Sequence, residues 1–314
     1  MSLITSQNAA QAIVKLVAAE ALEALVGNLR MGALVNRNYE PTLAQAGDTV
    51  NVAIPPVMAA NNIAESGSVQ TQNPSLGNAQ IVLNSHIEST FQIPDATKVL
   101  VVPDLVKTYM QPAIIAIAEK IETDILSTYP LFTYNSTLGG NSAMTEAVLD
   151  SAETTLFNVK VPEGAPRFAV VSSTAFSALR QISRFTEFQT IGFAAGGPGA
   201  TSPMVSGNLP GSGPYGANGQ LKNLLLFRSQ YVPAVSSVYQ NLVFSPDALG
   251  LVIRRLPQPL PGTGAIAEYA EMGNFGLRVV MSYAPNTLAQ QFTVDCLYGV
   301  GALRQQFAVI AESN

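Results

Sequence analysis

The sequence predicts an α+β fold, on three observations. Residues 103–129 place Ile114, Ile117, Ile121 and Ile125 at i, i+3, i+7 and i+11, which lines up one apolar stripe over several helical turns. Residues 47–95 contain two runs in which apolar and polar residues alternate, the period-two pattern of half-buried strands. From residue 242 to the end, short apolar runs recur between turn-forming residues, without an internal repeat.

Taken in order, residues 6–28 read as a helix, with Ile13, Val17, Leu22, Leu25 and Val26 near helical spacing and Gly27-Asn28 as a stop. A short extended piece follows at 35–39. Gly47 and Asp48 then turn the chain into Val50, Val52 and Ile54, and Pro55-Pro56 end that strand. Residues 58–78 are small and polar, and alternation returns at Ile81, Leu83, Ile87, Phe91 and Ile93. Together these segments predict a long two-stranded projection with a mobile tip. Its edges would be a hazard for a monomer unless a neighbouring subunit covers them.

The helix over 103–129 opens on Pro103 and is interrupted by Pro112, which removes one backbone donor and predicts a kink near Gln111. A second region starts near residue 143, with a helix to 157, a strand over 168–172, a helix over 174–185 and a strand over 224–227. Between them, 192–219 is rich in Gly, Pro and Ser and predicts a long exposed loop. Strands are expected at 242–244, 251–255, 277–283, 292–298 and 307–310.

Composition narrows the function. Of 314 residues only 16 are Lys or Arg and 21 Asp or Glu, 12% charged, against about 25% in an ordinary soluble protein. A compact monomer of this mass exposes on the order of 12,000 Å², and a well-behaved surface is roughly 25–35% charged. Much of this surface is therefore expected to face other protein, and self-association is the default expectation. No run approaches the ~18 uninterrupted apolar residues of a membrane span, since the richest, 9–26, holds Lys15, Glu20 and Glu23. The first residues lack the basic and apolar regions of a secretory signal, which predicts synthesis in the cytoplasm. A net charge of −5 argues against a nucleic-acid reader.

Chemistry is sparse. Gly211–Gly216 spells GxGxxG, but its flanks NLP and ANGQL offer neither the strand nor the helix that aims amides at a pyrophosphate. No GxxxxGK[ST] loop is present. His86 is the only histidine, so any Ser-His-Asp or Cys-His site would rest on one residue of a predicted strand. An exposed or interface-facing role suits it better. Cys296, the single cysteine, excludes an intrachain disulfide and a Cys-based zinc site, and reads as a packed core thiol. Glu119, Glu122 and Asp124 are interleaved with Lys120 and read as a solvated, salt-bridged helix face rather than a metal site. Asn135-Ser136-Thr137 spells a glycosylation acceptor, here only a loop sequence. Arg254 and Arg255 suit an intersubunit carboxylate better than DNA phosphate. A loop-borne enzyme site at 192–219 would need a cluster of titratable residues, and between Thr190 and Lys222 there is none, Tyr215 standing alone. The expectation is no catalytic, cofactor-binding or metal residue, no cofactor and no enzyme.

Four segments carry a resemblance. They are LVNRNYE and AGDTVNVAIPP (34–40, 46–56); FQIPDA leading to YMQPAIIAIAEKIETDIL (91–96, 109–126); RFAVVSSTAFSALR (167–180); and NLVFSPDALGLVIRRL with GLRVVMSYAPNTLAQQFTVDCLYGVGAL (241–256, 276–303). In this order and texture the chain resembles the tailed-bacteriophage major capsid (coat) proteins with the Hong Kong 97-like fold, in particular the short-tailed phage branch. The resemblance spans almost the whole chain, although no one string is diagnostic.

It implies an N-terminal arm (1–46), an extended β-hairpin loop (47–95), and interwoven peripheral and axial domains (96–314). The long kinked spine helix (103–129) and C-terminal strands would be peripheral, and about 143–245 axial. It implies a structural protein whose copies form the hexamers and pentamers of an icosahedral shell around double-stranded DNA. Assembly would take place in the host cytoplasm and the product would be a virion. Partners would be the chain itself, scaffolding, portal and decoration proteins, and packaged DNA met without sequence specificity, with no membrane. The alternative is an encapsulin-like compartment, which shares the fold and holds cargo protein. No inserted telokin-like domain is evident. Crosslinked relatives join a lysine to an asparagine, yet 47–95 contains no lysine, so shell contacts are expected to be non-covalent.

Overall fold

The computed structural model describes residues 30–39, 49–95 except 57, 64 and 66, 105–136, 142–182, 219–221, 224–260, 264–272 and 275–314. The helix expected over 6–28, residues 192–218 of the loop expected over 192–219 and the GxGxxG string lie outside these residues, and Gly219 opens a strand.

A four-residue helix α1 (Met31–Leu34) opens the described chain, and Asn36 then bridges in parallel to Gly250. Strands β1 (Thr49–Ile54) and β2 (Gly77–Val82) pair antiparallel along their full lengths, from Thr49 opposite Val82 to Ile54 opposite Gly77. Alternation decides their faces: Val50, Val52, Ala79 and Ile81 are buried on one side. On the other side Asn51 Oδ1 accepts from Asn78 Nδ2 (3.1 Å) and Gln80 Nε2 (3.0 Å).

The return run of the projection is not one strand. It breaks at Leu83-Asn84, and β3 (Ser85–Pro94) leaves the hairpin to pair with a strand about two hundred residues later. The hairpin's paired part therefore ends at residue 82.

The isoleucine stripe forms α2 (Leu105–Leu126), 22 residues with Pro112 inside. Ile114, Ile117, Ile121 and Ile125 are all buried, as the spacing predicts. The helix stops three residues short of 129. Pro130 has no amide proton and disfavours helical geometry at Tyr129, and the chain closes instead in a 3-10 turn over Tyr129–Leu131. Residues 103 and 104 lie outside the described residues.

After β4 (Tyr134–Ser136) come α3 (Glu146–Asn158), β5 (Arg167–Val171) and α4 (Ser173–Gln181). Ser172 caps α4, its Oγ accepting from the Ala175 amide at 3.1 Å. The remaining strands are β6 (Gly219–Leu221), β7 (Leu224–Arg228), β8 (Ala234–Val235), β9 (Val238–Phe244), β10 (Leu249–Arg254), β11 (Ile266–Met272), β12 (Phe275–Ala284), β13 (Ala289–Ala302) and β14 (Ala308–Ser313).

They build two sheets. One runs β4-β14-β9-β5-β7-β6, with β8 on β9, and its central strand β5 is buried along its whole length. Inside it, Asn241 of β9 is fully buried and fully used. Its Oδ1 accepts from the Ser172 amide (2.7 Å), and its Nδ2 donates to Ala311 O (2.8 Å) and Ser313 Oγ (2.9 Å).

The other sheet is organised by the 14-residue β13. On one edge β3 pairs with residues 289–298; on the opposite edge β12 takes 289–295 and β10 then takes 297–302. α2 packs against β3 and β13, and one continuous apolar core joins this helix to both sheets. A smaller core, with Val50, Val52, Ala79, Ile81, Leu83, Val252, Leu297 and Leu303, joins the hairpin base to β10 and β13.

Candidate functional site

Two surfaces stand out: the hairpin beyond its paired base, and the face of α2 that the sequence marks as charged.

Residues 55–76 form no strand or helix where they are described. Met58 (60% exposed), Ile63 (58%), Val69 (75%) and Leu76 (72%) point outward, and Glu65 is the only charged residue in the stretch. Four exposed large apolar side chains among small polar ones form a surface that gains by being covered. Beneath the base lies a groove of about 960 Å³, walled by Ile54, Pro55 and Gln80 on the hairpin side and by Lys160, Arg304 and Phe307 on the body. The Arg304 guanidinium lies over the Phe307 ring, 4.9 Å from its centroid.

The charged face of α2 differs from its sequence reading. Only Lys120–Asp124 is the expected i,i+4 pair, at 2.6 Å. Glu122 is buried, and its Oε1 accepts from the Arg30 and Met31 amides, the latter at 3.0 Å, at the first turn of α1. Burial pushes its carboxyl above the ordinary carboxylate range, against the opposing pull of those two amide hydrogen bonds. Glu119 accepts from the Tyr231 phenol at 2.8 Å; burial and this bond push the phenol up to about 12. Asp124 accepts from the Tyr298 phenol at 2.5 Å. The three carboxylates thus tie the helix to α1, to the segment after β7 and to β13. The solvated, salt-bridged reading holds for Glu119, Lys120 and Asp124, which also tether the helix, and is corrected at the buried Glu122, whose partners, being backbone amides, have no sequence signature.

His86 sits on β3 with its side chain half exposed, and its Nε2 lies 3.1 Å from Oδ2 of the buried Asp295 on β13. Arg278 of β12 grips the same carboxylate, Nε to Oδ1 at 2.9 Å and a second guanidinium nitrogen to Oδ2. This bond to Asp295 raises the Arg278 pKa further, against the cost of burial. Cation, carboxylate and imidazole thus span three adjacent strands, Arg278 directly opposite Asp295 and His86 on the diagonal. These contacts join β3, β13 and β12 through one carboxylate.

Cys296 is buried on β13, its thiol 3.6 Å from Gly276 O. Asn135 lies on β4 and donates to Glu312 Oε1 at 2.8 Å. Arg254 ends β10, and Arg255 stacks over the Tyr269 ring at 5.5 Å. Among the described residues no three His, Cys, Asp or Glu side chains gather as a metal site would need, and no helix is long and apolar enough to cross a membrane.

Neither a protein-family model nor a curated protein matches the chain. Solved structures do. A structure from Mycobacterium phage Che8 is 17% identical, with 90% of this chain and 89% of that one covered and a TM-score of 0.62. The capsid of a native GTA particle is 10% identical, with 91% and 90% covered and a TM-score of 0.60. The capsid structure of the cyanophage P-SCSP1u is 14% identical, with 86% and 85% covered and a TM-score of 0.57. At such identities the backbone path is what is shared, over 86–91% of this chain: it has the Hong Kong 97-like fold of phage capsid proteins.

Proposed function

We propose that this chain is a major capsid protein, a structural subunit whose copies form the hexamers and pentamers of an icosahedral shell around the double-stranded DNA of a tailed phage. The observation that carries the reading is the match, over 85% or more of both chains, to structures of capsids. The uncovered apolar stretch 55–76 and the low charge content fit a subunit whose surface is completed by its neighbours. In this reading 1–46 is the arm, 47–95 the extended loop, with β3 at its end laid into the body sheet, α2, with Pro112 inside it, the spine of the peripheral domain, and about 143–245 the axial domain. Scaffolding, portal and decoration proteins are the expected partners, with DNA at the inner face and the virion as destination.

Expression of the chain alone, followed by size-exclusion chromatography and negative-stain microscopy, tests this. Closed shells, tubes or free capsomers are expected. A monodisperse monomer across a range of salt, persisting when a scaffolding protein is co-expressed, would overturn it.

A further inference from the structure

Strands β10 and β13 run antiparallel with Gly250 opposite Gly301 and Val252 opposite Gly299. None of these three glycines has the positive φ that only glycine adopts freely, so their value is room. A Cβ on Gly299 would stand 2.4 Å from the carbonyl oxygen of Val82, and one on Gly301 3.2 Å from that of Gln80. A Cβ on Gly250 would meet Ile81 Cδ1 at 2.5 Å and Leu303 Cγ at 3.1 Å. All three sites lie under β2, and two of the obstructing atoms are backbone, which cannot rotate aside as a side chain can. Around them the apolar cluster of Val50, Val52, Ala79, Ile81, Leu83 and Leu303 is sealed. At the far end of the pairing a Cβ on Gly77 would come 3.2 Å from Ile54 Cβ, and beyond that point regular pairing stops.

We propose that Gly250, Gly299 and Gly301 are positioning residues for assembly. They seat the base of the hairpin directly on β10 and β13 and so fix the angle at which it leaves the body. Accommodation between non-identical neighbours is thereby confined to residues 55–76. The seat is a property of the single chain; its consequence for the particle rests on the shell reading above.

Amide hydrogen exchange on the full chain tests the seat. Gly299→Ala should speed exchange in β1 and β2 by about tenfold while β5, β9 and β14 keep their protection. Gly301→Ala should do so less. Gly164→Ala, whose added Cβ meets nothing within 4 Å, should leave the hairpin unchanged. Gly250→Ala should also loosen the hairpin, and Ile81→Val, which deletes the obstructing Cδ1, should restore part of the protection. Unaltered hairpin exchange in Gly299→Ala, or equal loosening of both sheets, overturns the seat. If Gly299→Ala does not fold, Gly301→Ala and the Gly250→Ala/Ile81→Val pair decide the same point.

In microscopy, Gly299→Ala should yield shells of altered diameter or tubes. Wild-type shells built from a loosened hairpin would overturn the positioning role. A wild-type chain that never assembles would instead remove the shell reading, and the exchange comparison would still decide the seat.

Discussion

Tyr298 of β13 and Asp124 of α2, 174 residues apart in the chain, meet in a 2.5 Å hydrogen bond whose donor side chain is wholly buried. Burial, then the bond and the charge of Asp124, push the Tyr298 phenol far above its ordinary range, so it serves as a permanent donor. The bond locks the long helix to the central strand of the sheet. Tyr298→Phe removes it while Lys120 still holds the carboxylate, and a hydrogen bond to a charged acceptor contributes about 1.5–3 kcal/mol. Denaturant unfolding should show a loss in that range; a change under about 0.5 kcal/mol would mean that the bond adds little.

Asp295→Asn should be costlier. It leaves the largely buried guanidinium of Arg278 without its bidentate partner, and stripping one member from a buried pair costs about 3–5 kcal/mol. Urea titration provides the number. A loss below about 1 kcal/mol would show that Arg278 finds other acceptors, beginning with the Pro257 carbonyl it already meets.

Glu122→Gln should behave differently from the usual loss of a carboxylate. The folded pKa of Glu122 lies above 4.5, so its linkage favours the folded state at low pH, and that contribution is lost as pH rises through the folded value. Glutamine keeps an acceptor for the Arg30 and Met31 amides without the charge. Subtracting the variant's stability curve from that of the wild type should leave a difference that falls with rising pH above about 4.5 and then levels. A difference that rises with pH would contradict the assignment.

Tyr231→Phe can be read spectroscopically. The Tyr231 phenol, raised to about 12, favours the folded state below pH 10, and that contribution is lost between pH 10 and about 12. Ultraviolet-monitored alkaline titration should lose one late-ionising tyrosine in the variant. An unchanged late phase would assign that proton to another phenol.

What could be read from the sequence followed local rules. The isoleucine stripe of α2, the alternation of β1 and the apolar runs of β5, β7 and β9 each announce themselves within one element, and all are buried where expected except Ile54, half-buried at the end of β1. Strand β11 went unseen because it is an edge strand whose Glu268 and Glu271 dilute its apolar signal. The reading of 81–93 as one strand failed because a period of two says which face a residue takes and nothing about which strand it pairs with. Glu122 was read as solvated because its neighbours in sequence are charged, whereas its neighbours in space are amides of α1. The glycine seat was illegible for the same reason: a glycine under a distant hairpin resembles any other glycine in a strand.

The pairing of β3 with β13, in which His86 meets Asp295 at a separation of 209 residues, also sets a timetable. Long-range pairings of this kind form slowly, because much chain must be ordered before the contact repays it. On the ribosome, β1 and β2 emerge long before the strands that will lie beneath them. Until the last part of the chain arrives, the hairpin has a partner strand but no platform, and no defined direction in which to reach. On the proposed shell reading, the feature that would join one subunit to the next is set in place only when the subunit that bears it has finished folding, so that fold completion itself would act as the checkpoint for association.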